Sequence, residues 1–340
     1  MIWRTFTRSV AYSSGALGLF HRIRHGESLT VLMFHRVLPE LERNRSSADP
    51  TYSIAPKLLA EIVAFVRRNY AIVGMQDVLL SLRRERALPR QPLLITFDDG
   101  WQDNIEWALP QLRGIAWTLF VTTDALADPD CWWQEVLLWA LRSGRDSYDD
   151  LWKKAKADAD ATGTTENGTD VLALLLRYGS ISEDRRRDAL SIHTDELRSL
   201  GGARHMLTRD ELLMLRAEGV AIGSHGATHL PLSRLSDPCA DLRKAREFLY
   251  QLDGPPVLSF PHGRYDEGVV SAARNLGYKA IFTSEPILNP CPGGWLQSDV
   301  IGRISLDEAN LSSRMGTVVP ERLAAHLYLR DIAIPAVHQP

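Results

Sequence analysis

Cysteine is scarce in this chain. Cys131, Cys239 and Cys291 are the only three among 340 residues. They are odd in number, far apart and without CxxC spacing. That excludes a disulfide framework and a zinc–thiolate site, and it fits a reducing compartment. An excess of positive charge is missing too. The formal net charge is -3 and the isoelectric point is near 6.4, which excludes nucleic acid as a bulk electrostatic partner. No internal repeat of the solenoid kind is present. What remains is an ordinary globular composition, 45% hydrophobic and 24% charged. It supplies a large core for one large α/β domain or two smaller ones.

The first 27 residues form a segment of their own. Arg4 and Arg8 precede a mildly apolar stretch, and Arg22 and Arg24 follow it. The stretch is too short and too polar for a spanning helix. It also lacks the apolar centre and small-residue cleavage site of a secretory signal. Two readings stay open: a helix packed on the domain, or a basic amphipathic helix on an anionic membrane surface. Export by a weak signal is a third.

From residue 28 short apolar runs alternate with helix-like periods. Residues 28–37, 70–75, 93–97, 116–123, 220–225, 257–261, 278–284 and 301–306 read as strands. Residues 55–70, 75–89, 104–114, 208–219, 237–252 and 267–276 read as helices, with a kink or stop near Pro110. Strands alternating with helices build parallel βαβ units. Seven or eight of them predict an α/β fold of barrel type. Residues 131–200 break the rhythm and read as a helical insertion, with a polar stretch at 153–170 as a loop or solvated helix.

Residues 94–104, LITFDDGWQDN, pose the chemical question. An apolar strand ends in two adjacent carboxylates, Asp98 and Asp99. Like charges repel at close range and an unpaired buried carboxylate is costly, so a positive partner is expected. The stretch GSHGATHLPLS at 223–233 supplies a candidate set. His225 and His229 are four apart, so a helix or tight turn puts both imidazoles on one face. Two histidines and a carboxylate are a common ligand set for zinc or another divalent ion. A DD pair alone is usually a solvated turn or a helix cap, and an HxxxH pair alone is commonplace. Both pairs here follow apolar strands, where catalytic groups of parallel α/β folds gather. A metal would neutralise one carboxylate and lower its pKa. FPHGRYD at 260–266 and MFHRV at 33–37 are further strand ends. Pro261 and Gly263 shape a turn whose backbone N–H groups face the cleft, which makes both candidates for substrate binding, and His262 and His35 stand beside the expected site.

In order along the chain, TFDDG at 96–100, SHGATH at 224–229 and FPHG at 260–263 resemble the polysaccharide deacetylase family with its NodB-homology domain. The resemblance covers roughly residues 28–306. It implies a distorted (β/α)7-type barrel, assigned to residues 28–335. It also implies a metal-dependent hydrolase that removes N-acetyl groups from an amino-sugar glycan, with Zn2+, or another divalent ion such as Co2+, held by Asp99, His225 and His229. Asp98 would be the general base, and a backbone N–H of the FPHG turn near His262 would stabilise the oxyanion. Two features depart from the best-known members. Their third motif carries an arginine that SFPHGRY lacks, so Arg303 in IGRIS becomes the candidate to orient Asp98, with Arg264 competing. Their late leucine-x-x-histidine motif, which supplies the general acid, is assigned no equivalent. The early histidine is similar to that of the bacterial exopolysaccharide poly-N-acetylglucosamine deacetylases, which makes His35 the acid.

Trp101, next to the carboxylates, and Trp132 and Trp133 are candidates to stack on sugar rings, although tryptophan more often fills cores. The expected substrate is a polysaccharide or a lipid-linked precursor. The expected location is the cytoplasm, on the inner face of the bacterial inner membrane. Competing functions are a metal amidohydrolase acting on a non-glycan C–N bond and an inactive glycan-binding homologue.

Overall fold

The fold is that of a computed structural model describing residues 9–46, 48–127, 130–155, 170–199, 205–313 and 315–336. Arg4 and Arg8, and residues 156–169 of the polar stretch, lie outside the described residues. The strands in chain order are β1 (Ser28–Phe34), β2 (Arg36–Val37), β3 (Ser53–Ile54), β4 (Ala71–Ile72), β5 (Pro92–Phe97) and β6 (Thr118–Val121). They continue with β7 (Ala221–Ser224), β8 (Val257–Ser259), β9 (Ala280–Phe282), β10 (Asn289–Pro290), β11 (Val300–Ile301) and β12 (Ile304–Ser305). Ten of them form one sheet in the order β10-β1-β5-β6-β7-β8-β9-β11, with β12 on β1 and β4 on β5. Only the β1–β10 pair is antiparallel. β2 and β3 pair separately.

The sheet is nearly closed into a barrel, the distorted (β/α) type expected. β11 lies on β9 and β12 lies on β1, so the gap is bridged by the two residues between them, Gly302 and Arg303. Sequence reading had one strand over 301–306. The strand breaks because Gly302 spends its backbone on a side chain: its N–H donates to Asn289 Oδ1 at 2.7 Å and its carbonyl accepts from Asn289 Nδ2 at 2.9 Å.

The strands are buried on both faces, as parallel strands covered by helices must be. Their side chains still sort by parity. Leu29 and Val31 of β1, Leu94 of β5, Phe120 of β6, Val257 of β8, Phe282 of β9 and Ile301 of β11 fill one core inside the barrel. Their neighbours Leu32, Leu93, Ile95, Leu119, Ile222, Leu258 and Ile281 pack outward against the helices. Counting on by twos from the inward set reaches Asp98, Ser259 and Arg303, and from β1 it reaches His35.

The surrounding helices follow the expected spacing. The helix Pro56–Asn69 starts with proline in its first turn and buries Leu58, Leu59, Ile62, Val63, Phe65 and Val66. Two elements differ from expectation. The helix Met75–Leu82 stops well before Pro89, because Arg84 adopts φ 61° and turns the chain. Residues 104–111 are a π-helical turn followed by a 3-10 turn, where Pro110 supplies no N–H for a regular helix.

Among the described residues between β6 and the helix Arg209–Ala217 stand four helices, Trp133–Arg142, Tyr148–Lys154, Val171–Ser180 and Glu183–Ser199. They bury a core of their own, including Leu137, Trp139, Leu174, Tyr178 and Leu190. Leu230, from the loop that carries His229, inserts into it.

Candidate metal centre and active site

Asp98 directly follows β5 on the inward parity, so the next residue should point outward. It does not. Asp99 has φ 78° and Gly100 φ 94°, which swings the second carboxylate back into the same site. His229 at φ 58° and His262 at φ 56° make three of the six described non-glycine residues with positive φ. Strain of this kind collects at functional sites.

The two carboxylates have different partners. Asp98 is buried and forms a bidentate pair with Arg303, Nη1 to Oδ1 and Nη2 to Oδ2 each at 2.7 Å. Arg303 is fully buried. It also donates to Ser259 Oγ at 2.8 Å, Thr96 Oγ1 at 3.2 Å and the Thr283 carbonyl at 3.0 Å. Burial opposes ionisation of Asp98, but Arg303 and then His225 outweigh it and hold the carboxyl below its ordinary range. Arg264, the competing arginine, is exposed.

Asp99 faces the imidazoles. Its Oδ1 lies 3.4 Å from His225 Nε2 and 3.2 Å from His229 Nε2, and it is buried with no hydrogen-bond donor. Its Oδ2 accepts the Trp101 indole N–H at 2.8 Å. His225 Nδ1 lies 2.9 Å from the Ser259 carbonyl, which can only accept, so Nδ1 carries the proton. His229 Nδ1 lies 2.9 Å from Gln134 Oε1, while Gln134 Nε2 donates to the Thr228 carbonyl at 3.0 Å. Both imidazoles therefore turn a bare Nε2 toward Asp99. Burial, with His229 adding to it, pushes His225 down to about 4 against the pull of Asp98, leaving it neutral at neutral pH.

These three residues could hold a metal ion; their ligand atoms all lie within 4.8 Å of one another. Tetrahedral donors about 2.0–2.1 Å from an ion lie roughly 3.3 Å apart, which matches the spacings above. An orphaned carboxylate oxygen between two imidazole lone pairs is a donor set that suits a divalent ion.

The other expected residues divide. His35 sits half-buried just past the end of β1, its carbonyl accepting from Asn104 Nδ2 at 2.9 Å. In the FPHG turn, Gly263 N–H donates to the Phe260 carbonyl and Arg264 N–H to the Pro261 carbonyl. The His262 N–H has no acceptor among the described residues, and the His262 ring lies on the His229 carbonyl at 3.0 Å. Pro261 is buried and packs toward Gly226, so it shapes the turn from beneath and is not a substrate contact.

The tryptophans need correction as sugar platforms. Trp101 is only 5% exposed. Arg36 covers its ring at 4.1 Å and Trp132 meets it edge-on at 5.6 Å, so no sugar reaches its face. Trp132 is buried against His229, and Arg186 lies over Trp133 at 4.7 Å. The exposed aromatic beside the site is Tyr52, 50% exposed with its ring 4.9 Å from His35. Sequence reading missed it because the turn Pro50–Tyr52 lies far from any motif. Gln134 and Ser259 were missed for a similar reason. The late histidine also needs revision. Leu323 and His326 do have leucine-x-x-histidine spacing, but both ring nitrogens of His326 are occupied: Nε2 donates to the Ser305 carbonyl at 3.1 Å and Nδ1 accepts from Arg330 Nη2 at 3.1 Å. A cleft of about 930 Å³ runs between the insertion and the helix Pro238–Gln251, behind the His229 loop; none of the four carboxylate and imidazole residues lines it.

The polysaccharide deacetylase family model matches residues 85–281. That span is more than half of the chain. The chain belongs to the polysaccharide deacetylase family. The chain is 27% identical over 129 residues to YxkH of Bacillus subtilis (strain 168), which also carries the polysaccharide deacetylase name; the match covers 36% of this chain and 42% of that relative. The deacetylase PplD of Streptococcus pyogenes, solved with acetate, superposes with a TM-score of 0.55 at 15% identity, over 88% of this chain and 98% of its own. IcaB of Ammonifex degensii gives 0.54 at 16% identity, over 89% and 98%. A de-N-acetylase of Aggregatibacter actinomycetemcomitans gives 0.54 at 15%, over 82% and 95%. At these identities the likeness carries the fold.

Proposed function

We propose that this chain is a metal-dependent deacetylase hydrolysing the N-acetyl amide of an amino-sugar glycan. The observation that carries the reading is the division of labour between adjacent carboxylates. Asp99 offers an unpartnered oxygen to two bare imidazole nitrogens, while Asp98 is kept ionised by a buried arginine 205 residues further on. Zinc, or cobalt in its place, held by Asp99, His225 and His229 would supply carbonyl polarisation and a nucleophilic water at neutral pH. The chain's own groups then divide the proton work. Asp98 takes the proton of the attacking water. The free His262 N–H meets the developing oxyanion, as preorganised donors do in amide hydrolysis. His35 delivers a proton to the departing amine. Arg303 orients Asp98 without touching substrate.

Membership of the polysaccharide deacetylase family supports a sugar as substrate, and the name de-N-acetylase of one neighbour on the same fold agrees with an N-acetyl group on it. The resemblance to exopolysaccharide enzymes supports a polymer or lipid-linked precursor as its form. The same reading keeps the reaction on the cytoplasmic side of the inner membrane; an alkaline-phosphatase fusion active outside the cytoplasm would overturn that part.

The test is acetate release from N-acetylglucosamine oligomers and lipid-linked N-acetyl sugars by metal-stripped protein, with and without added Zn2+ or Co2+. Metal-dependent release is expected. Stoichiometric metal binding without release would point to a different amide. Neither binding nor release would leave a glycan-binding homologue.

A further inference from the structure

The chain from Met1 to Gly26 contains four arginines and no acidic residue. Within it, the helix Ala16–Arg24 is docked by one face. Leu17 and His21 are buried, and the His21 ring stacks on Tyr328 at 4.1 Å and meets Tyr70 at 5.1 Å. That fixes which side faces out. Leu19 is 59% exposed, Phe20 41% and Ile23 73%. The Arg24 guanidinium flanks this stripe, 5.9 Å from the Phe20 ring centre.

A second segment lies beside this helix and exposes apolar side chains of its own. The helix Pro320–Tyr328 packs along Ala16–Arg24, and the chain leaving it exposes Leu329, Ile332 and Ile334. This segment is tied down by Leu288, whose N–H donates to the Asp331 carbonyl and whose carbonyl accepts from Ala333 N–H. Asp331 acts electrostatically on His25, so the two segments meet. With Val10, seven of the fifteen large hydrophobic side chains exposed among the described residues lie on these two segments. Single exposed apolar residues are normal, whereas a concentration marks an interaction surface.

The charges choose the partner. Arg22, Arg24, Arg90 and Arg330 stand here against Glu27 and Asp331, and Glu27 already lies 3.8 Å from Arg90. A two-fold contact with a second copy would set this basic patch against itself. A flat helix with an apolar stripe edged by arginine suits an anionic interface. Among the described residues no helix is long and apolar enough to cross a membrane. We propose that this face rests on the surface of an anionic lipid bilayer, with Leu19, Phe20 and Ile23 dipping into the headgroup boundary. β1 runs from this end of the barrel toward the metal centre. Seven residues of strand span roughly 20 Å, so the catalytic mouth lies at the other end of the strands.

The experiment is vesicle co-flotation of the full chain, on phosphatidylcholine alone and on phosphatidylcholine with about a third phosphatidylglycerol. Binding is expected on the anionic vesicles, weakening as salt rises, and absent on the neutral ones. Arg22→Gln/Arg24→Gln should lower the partition coefficient by about thirtyfold, from roughly one surface charge each. Leu19→Ser/Ile23→Ser should lower it at least tenfold. Both variants should keep the wild-type melting temperature and metal content, since all four side chains lie outside the core and the site. Wild-type protein that ignores anionic vesicles, or variants that bind as well as wild type, would overturn the proposal. So would a wild-type dimer in sedimentation that Leu19→Ser/Ile23→Ser dissolves, which would assign the face to a second copy.

Discussion

Arg303 and Asp98 meet through two parallel hydrogen bonds of 2.7 Å, with the arginine fully buried. A fork of this kind fixes the plane of the carboxylate as well as its charge. Arg303→Met leaves Asp98 buried and uncompensated, so it should cost about 3–5 kcal/mol of stability and abolish activity. Arg303→Lys keeps the charge but not the fork, so activity should fall more than stability. Asp98→Asn should retain metal and lose turnover. Denaturant titration, elemental analysis and acetate release check the set. An active Asp98→Asn would remove Asp98 as the base.

The groups behind the proposed metal ligands can be separated from the ligands themselves. Trp101→Phe removes the N–H that holds Asp99 Oδ2 while keeping most of the packing. Gln134→Leu removes the acceptor that orients His229. Each should weaken metal binding about 10–100-fold, read by chelator competition, with little change in melting temperature. KM at saturating metal should be unchanged for Trp101→Phe; a raised KM would return Trp101 to the sugar.

Tyr52 presents half its surface beside His35. Aromatic stacking on a sugar needs the ring and not the hydroxyl, so Tyr52→Ala should raise KM several-fold and Tyr52→Phe should not. Metal affinity should stay at the wild-type value in both. Equal KM for all three proteins would remove Tyr52 from the binding surface.

Acid should loosen the docked N-terminal helix. Burial, with His25 and Arg22 adding to it, pushes His21 from 6.5 down to about 3, and burial lowers His25 as well. The unfolded chain then takes up protons before the folded one. Stability is full above about pH 6.5 and is lost as pH falls from there toward 3. Melting temperature should drop between pH 7.5 and 5, and His21→Phe should flatten the slope. An unchanged slope in that variant would show that the drop arises elsewhere.

Much of the site was legible because strand-end parity and ligand spacing are local. Asp99, His225 and His229 could be read from two short stretches as a ligand set. Arg303 entered only as one of two candidates for an arginine that the family resemblance calls for, and its pairing with Asp98 became visible in the fold. Gln134, Ser259 and Tyr52 could not be read in this way. Each is an ordinary polar residue whose role comes only from where the insertion, β8 or a short turn lands. Trp101 misled in the other direction: adjacency in sequence to the carboxylates turned out to mean support from below. The split of residues 301–306 was also hidden, since it depends on the Asn289 side chain taking the place of a strand neighbour.

The near-closure of the barrel at Gly302 and Arg303 has a consequence for how the molecule assembles. β1 is made first and receives β12 only after some 270 residues have intervened. The residue that neutralises Asp98 sits in that same late join. A chain folded only up to β9 therefore contains an inward carboxylate with no arginine to meet it, and β11 and β12 bring the carboxylate and its counter-charge together. Closing the barrel and neutralising Asp98 are one event.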